Sequence, residues 1–242
     1  MKDKQIAKVC SVLLIMVSLL MACSSAPGIS SSPIPQTTPH SHVTIPPGNK
    51  IVKEKDRVIR IDGLVIPVSK IEVLDSYLKV EKYDQTEFER LRIDPIHDDG
   101  EKKTYHIGYG CGMKNCCHVL VQIHQEEVYS LELPESMYMG SILNKDQSRA
   151  LIKFGFNEGN LVNHSAIRGL DLQSFRFLTM KSSEDEALYG EMNLPFPEVQ
   201  WINNQTIKLT IADVPNSEYE TLKKWGELVS PPTKEIIVSF TS

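Results

Sequence analysis

The densest group of reactive side chains lies in Tyr105–Leu120, YHIGYGCGMKNCCHVL, where Cys111, Cys116, Cys117 and His118 fall within eight residues. Three chemistries fit such a group. Two thiols can close a disulfide across a hairpin. Cys116 together with His118, His124 and His106 could hold a soft metal, Zn or Cu, or run thiol redox chemistry. The cysteines can also stay reduced inside a core. The C-x4-C-C-H spacing matches no standard zinc pattern, and no C-x-x-C accompanies it.

Strand parity sorts these residues. Successive side chains on a strand point to opposite faces. Over 117–124, Cys117, Val119, Val121 and Ile123 share an apolar face, while His118, Leu120, Gln122 and His124 share the other. On the preceding segment Tyr105, Ile107, Tyr109 and Cys111 alternate together, opposite His106. Pairing Tyr109 with Val119 matches the apolar faces and sets Cys111 opposite Cys117, the first disulfide candidate, with Cys111–Cys116 as the second. Parity also denies Cys117 an activating base in His118, its neighbour on the opposite face.

Other candidates are sparse. His97-Asp98-Asp99 could act as an acid–base cluster or as solvated turn residues. Arg168 could clamp a carboxylate or phosphate of a ligand, or lie outward on a strand with its stem packed. The sequence carries no G-x-S-x-G, no phosphate loop, no H-E-x-x-H and no EF-hand loop. No catalytic residue is assigned and no cofactor is expected, with Zn or Cu as the alternative.

The opening residues decide which chemistry the compartment permits. MKDKQIAKVCSVLLIMVSLLMACSS has a basic start and a short apolar run ending at Leu20-Met21-Ala22-Cys23. The last four residues resemble the lipobox of bacterial lipoprotein precursors. The resemblance implies cleavage of 1–22, acylation of Cys23, and a lipid-anchored chain on the extracytoplasmic face of the cell membrane. Disulfides are then permitted. Residues 23–49 are rich in Ser, Pro and Thr, without apolar periodicity, and predict a disordered tether. The net charge is −5, and removal of Lys2, Asp3, Lys4 and Lys8 leaves about −7. No basic run is present, so nucleic acid is an unsuitable partner.

The rest predicts about ten short strands. RVIRI and LVIPV flank the turn residues Asp62-Gly63. Residues 70–93 are ambiguous between strand and helix, 94–103 predict a polar loop, and 134–147 a connection. SRALIKFGF, EVQWI, TIKLTI and KEIIVSF predict later strands. Tyr219, Leu222, Trp225 and Leu228 recur at helical spacing, predicting one short helix over 217–228. The expected fold is mainly β, with antiparallel sheets forming a sandwich or two packed small sheets. It divides into an N-terminal β subdomain with the cysteine hairpin (50–135) and a C-terminal β module (136–242).

Within that module, Ser165-Ala166-Ile167-Arg168-Gly169-Leu170 and Trp201-Ile202-Asn203-Asn204-Gln205-Thr206-Ile207 resemble an uncharacterised family of small β-rich extracytoplasmic proteins of Gram-positive bacteria, over about residues 141–215. The resemblance implies a β-rich module and transfers no activity. The sequence as a whole leads to a non-enzymatic binding or scaffolding domain of the cell envelope. Its partners would be the bilayer, through Cys23, and an envelope ligand or protein. The alternative is a thiol-redox or metal-handling lipoprotein using Cys116, His118 and His124.

Overall fold

A computed structural model describes residues 57–81, 85–159 and 161–241. The expected leader, Cys23 and the tether lie outside the described residues. Strands β1 (Val58–Ile61) and β2 (Leu64–Pro67) form the expected hairpin. Asp62 and Gly63 take the positive φ values, 48° and 80°, that a tight two-residue turn needs. The ambiguous stretch resolves into helices α1 (Glu72–Val80) and α2 (Gln85–Glu89). Leu74 and Leu78, four residues apart, are fully buried on one face of α1.

A seven-stranded antiparallel sheet follows, in the order β3 (Arg92–Asp98), β4 (Lys102–Tyr109), β5 (Cys116–His124), β6 (Glu127–Leu143), β7 (Arg149–Glu158), β8 (Val162–Asp171) and β9 (Arg176–Phe177). The supposed polar loop at 94–103 is therefore mostly strand. Pro95 interrupts the strand pattern of the sequence. It lies at a register shift on an edge strand, where a missing N–H removes no ladder bond.

The supposed connection after Pro134 is also strand. β6 pairs with β5 as far as Ser136 and with β7 from Met137 onward. It runs through the expected division at 135/136, so the two halves share one sheet. Pro134 and Gly140 broke the sequence pattern because each lies at a β-bulge, and Gly140 has φ +111°.

A second sheet of four strands has the order β10 (Thr179–Lys181), β13 (Thr233–Thr241), β12 (Thr206–Ala212), β11 (Glu198–Asn203). Helix α3 (Tyr219–Gly226), the one expected near the C-terminus, buries Leu222. The fold is mainly β and antiparallel, as expected, with α1 and α2 as additions. Among the described residues no helix is long and apolar enough to cross a membrane.

Three apolar clusters lie between the layers. Val119, Val121 and Ile123 of β5 pack with Ile59, Ile66, Leu74 and Leu78 of the hairpin and α1. Leu120, on the opposite face of β5, packs with Ile152 and Phe154 of β7 and with Ala166 and Leu170 of β8. Leu151 and Ile167, on the other faces of β7 and β8, pack with Leu209, Val238 and Leu222. Both faces of β5 are covered, which is why VLVQI is almost continuously apolar.

Candidate functional site

The turn between β4 and β5 fixes the cysteine pairing. Tyr109 lies opposite Cys117, not Val119. A slide of two residues keeps every side chain on its expected face, so parity is as the sequence predicts while the register is not. The slide carries Cys117 away from Cys111. The disulfide joins Cys111 to Cys116, and among the described residues Cys117 is left as a free thiol. Gly112 N–H donates to Asn115 O at 2.9 Å, closing the turn inside this bridge. An Arg90 guanidinium donates to the Cys111 carbonyl and to Glu87, which also accepts from the Tyr77 hydroxyl at 2.8 Å. Both helices are thus tied to the bridge. Burial, followed by the nearby Glu135 and Glu132 carboxylates, pushes the Cys117 thiol above its ordinary pKa. A poor nucleophile results.

On the opposite face, facing β7 and β8, the structure assembles a polar relay. His106 Nδ1 lies 3.0 Å from Asp94 Oδ2, and its Nε2 lies 2.8 Å from His118 Nδ1. His118 Nε2 donates to the Ser136 carbonyl at 2.9 Å. That carbonyl is available because β6 bulges at Pro134–Glu135, where the Ser136 hydroxyl donates to the Pro134 carbonyl at 2.8 Å. Tyr138 stacks on His106 with ring centroids 3.7 Å apart. His106 and His118 are 2% and 3% exposed, while the Asp94 side chain is 28% exposed. Burial drives both imidazoles below their ordinary pKa, His118 to about 4, with Asp94 opposing the shift at His106. Burial likewise pushes the Tyr138 hydroxyl up to about 12.

The expected metal set does not converge. Cys116 is spent in the disulfide. His124 sits six residues along β5 from His118, roughly 20 Å at strand rise. The relay imidazoles spend their ring nitrogens on each other, Asp94 and Ser136. Among the described residues no cluster of three or more His, Cys, Asp or Glu side chains could hold a metal ion. Asp94, Ser136 and Tyr138 lie in the segments whose sequence predicts a loop and a connection, so no local pattern joins them to the histidines. The readable signal was the alternation of Arg92 and Asp94 on one side of a strand leading into His106 on its partner.

No family model, curated protein or solved structure matches this chain. The site rests on its own geometry.

His97 lies on β3, not in a loop, and is buried, with Nε2 3.7 Å from Asp99 Oδ2. Asp99 accepts the backbone N–H groups of Glu101 and Lys102, and Asp98 accepts from Gly100 and pairs with Lys103. These bonds hold both carboxyls below the usual range. The carboxylates build the turn. Arg168 shares the face of β8 that carries Ala166 and Leu170, so it faces inward. It lines a cleft of about 400 Å³ with Glu132, Leu133, Pro134 and Phe177.

Proposed function

We propose that the protein is a non-enzymatic binding or scaffolding domain, held by an acylated Cys23 at the extracytoplasmic face of a cell membrane. The observation that carries the non-enzymatic reading is the closure of the relay. Asp94, His106 and His118 resemble a catalytic series, but their ring nitrogens bond one another, Asp94 and a backbone carbonyl. A catalytic imidazole must present a nitrogen to substrate. The Cys111–Cys116 bridge supports an oxidising compartment. The Arg168 cleft sets a guanidinium and the Glu132 carboxylate beside the apolar walls of Leu133, Pro134 and Phe177, a lining suited to a polar group on an envelope ligand or protein. No observation favours the Zn or Cu reading.

Cell fractionation with Cys23→Ala, combined with crosslinking capture by wild type and Arg168→Ala, tests this reading. Expected are membrane retention that depends on Cys23 and a crosslinked partner weakened by loss of Arg168. A cleaved form still retained on the membrane after Cys23→Ala overturns the anchor. Capture indifferent to Arg168 overturns the cleft.

A further inference from the structure

The relay has three hydrogen bonds, and each needs one proton. A carbonyl oxygen only accepts, so His118 carries its proton on Nε2. In a neutral His118, Nδ1 is then a lone pair, so His106 Nε2–H must donate across the 2.8 Å contact. A neutral His106 has now spent its single proton. Its Nδ1 lone pair would face Asp94 Oδ2 at 3.0 Å, acceptor against acceptor. Reversing both tautomers only moves the conflict to the Ser136 carbonyl. Two neutral imidazoles supply two protons, and the geometry asks for three.

We propose that Asp94, His106 and His118 form a proton-binding clasp that takes up one proton beyond those of two neutral imidazoles, and that this uptake joins edge strand β3 to β6 in an unbroken hydrogen-bonded series. The proton comes from solvent through Asp94, the half-buried end. It resides between Asp94 Oδ2 and His106 Nδ1, so the loaded relay is a carboxylate–imidazolium pair with no net charge. Without it the relay carries one negative charge and repels at the Asp94–His106 contact.

The charged and titratable neighbours set the affinity. Asp94 on β3 favours the proton. Arg92, also on β3, and burial oppose it. Tyr138 on β6 stacks on His106 and stays neutral. From β7 and β8, Ile152, Phe154 and Ala166 share an apolar cluster with Leu120 and Tyr138, the residues beside the two rings, and Arg168 lines a cleft with Leu133 and Glu132. Gly108 leaves the space beside His118 Nδ1 and Arg92 without a side chain. Uptake therefore falls below the range of a free imidazole. Its biological use rests on the extracytoplasmic placement proposed above; its chemistry does not.

The test is histidine-ring 15N NMR on the full chain in detergent micelles, titrated from pH 7.5 to 4.5, for wild type and Asp94→Asn. Asparagine can donate an N–H to His106 Nδ1 and so supply what the third proton supplies. Expected for wild type is a His118 ring protonated on Nε2 throughout, with one shared proton uptake that moves both rings at a common midpoint. Expected for Asp94→Asn is loss of that uptake, with both rings neutral across the same range. Independent titration of the two rings, no uptake in wild type, or unchanged uptake in Asp94→Asn overturns the proposal. The wild-type tautomer and common midpoint decide it even if the variant folds poorly.

Discussion

His106 Nε2 and His118 Nδ1 lie 2.8 Å apart although the two residues are not direct cross-strand partners. His106 is opposite Leu120, and His118 is opposite Gly108. They are diagonal neighbours, and the contact forms because glycine, not a larger residue, stands between Arg92 and His118 on that row. A strand diagonal of this kind lies within reach of long or aromatic side chains. It links two strands through side chains as well as through the backbone ladder, and Asp94 and Ser136 extend the link to four strands.

Stability should fall as the solution is acidified below pH 6.5. Both relay imidazoles have folded pKa values below that of an unfolded histidine. The folded state binds the proton less readily than the unfolded chain, because charging a buried imidazole is costly, so this loss is absent above pH 6.5 and grows as pH falls toward their folded values. Urea unfolding followed by circular dichroism at pH 7.5 and 4.5 should differ by about 1–3 kcal/mol from this source. Asp98, Asp99 and Asp146, whose carboxyls are held low, act in a separate window at lower pH. Asp94→Asn should match or exceed wild type at pH 7.5 and lose stability more steeply with acid, because no carboxylate remains to favour an imidazolium. A flat profile, or a shallower one in the variant, contradicts this account.

The sequence exposed the faces of the strands better than their ends. Alternation over 105–111 and 117–124 correctly separated the Val119 face from the His118 face, because burial on either side of a strand enforces a period of two. Register escaped, since Gly110 to Asn115 could close a turn in more than one way and a two-residue slide costs the pattern nothing. That slide changed the disulfide from Cys111–Cys117 to Cys111–Cys116. Pro95, Pro134 and Gly140 hid strands because single-sequence reading treats them as breakers, whereas bulges and edges accommodate them. The relay needed Asp94 and Ser136, one from each hidden segment. It could not be assembled from the cysteine–histidine cluster alone.

Removing the bridge should cost about 2 kcal/mol, as expected for a short closed loop. Cys111→Ser and Cys116→Ser should each show this loss in urea unfolding, and Cys117→Ser should not. Under denaturing alkylation, Cys117 alone of Cys111, Cys116 and Cys117 should react before reduction, and all three after it. In the native protein Cys117 should alkylate slowly at pH 7.5, since burial and the Glu135 and Glu132 carboxylates keep its thiol protonated. Rapid native alkylation would contradict the raised thiol pKa, and a stability loss in Cys117→Ser as large as in Cys116→Ser would assign the bridge differently.

Gln122 is a second polar tie across the interior. Its amide donates to the Leu172 carbonyl at 2.7 Å and to the Thr104 hydroxyl at 3.2 Å, all buried. Gln122→Leu keeps the volume but leaves the Leu172 carbonyl without this donor. A buried acceptor deprived of its partner costs roughly 1–3 kcal/mol. Denaturation of the variant should show a loss in that range, with hydrogen exchange rising first around Leu172. An unchanged midpoint would mean that water replaces the amide there.

Gly169 tests how closely the sheets approach. A Cβ at this position would lie 2.6 Å and 2.7 Å from two ring carbons of Phe240 and 3.3 Å from the Leu178 Cβ. Phe240 is 3% exposed, in the cluster between β8 and the four-stranded sheet. Gly169→Ala therefore forces that ring or the whole strand to move, at a cost of about 1–3 kcal/mol for overpacking. Gly226→Ala, at the end of α3 with open space around the new methyl, should be neutral or slightly stabilising. The clash is with the ring, so Phe240→Leu should remove most of it. The double variant should then be more stable than the two single losses added together, with a coupling of 0.5 kcal/mol or more, on the order expected for residues in contact. Simple additivity would place the cost of Gly169→Ala in the β8 backbone and not in the Phe240 contact.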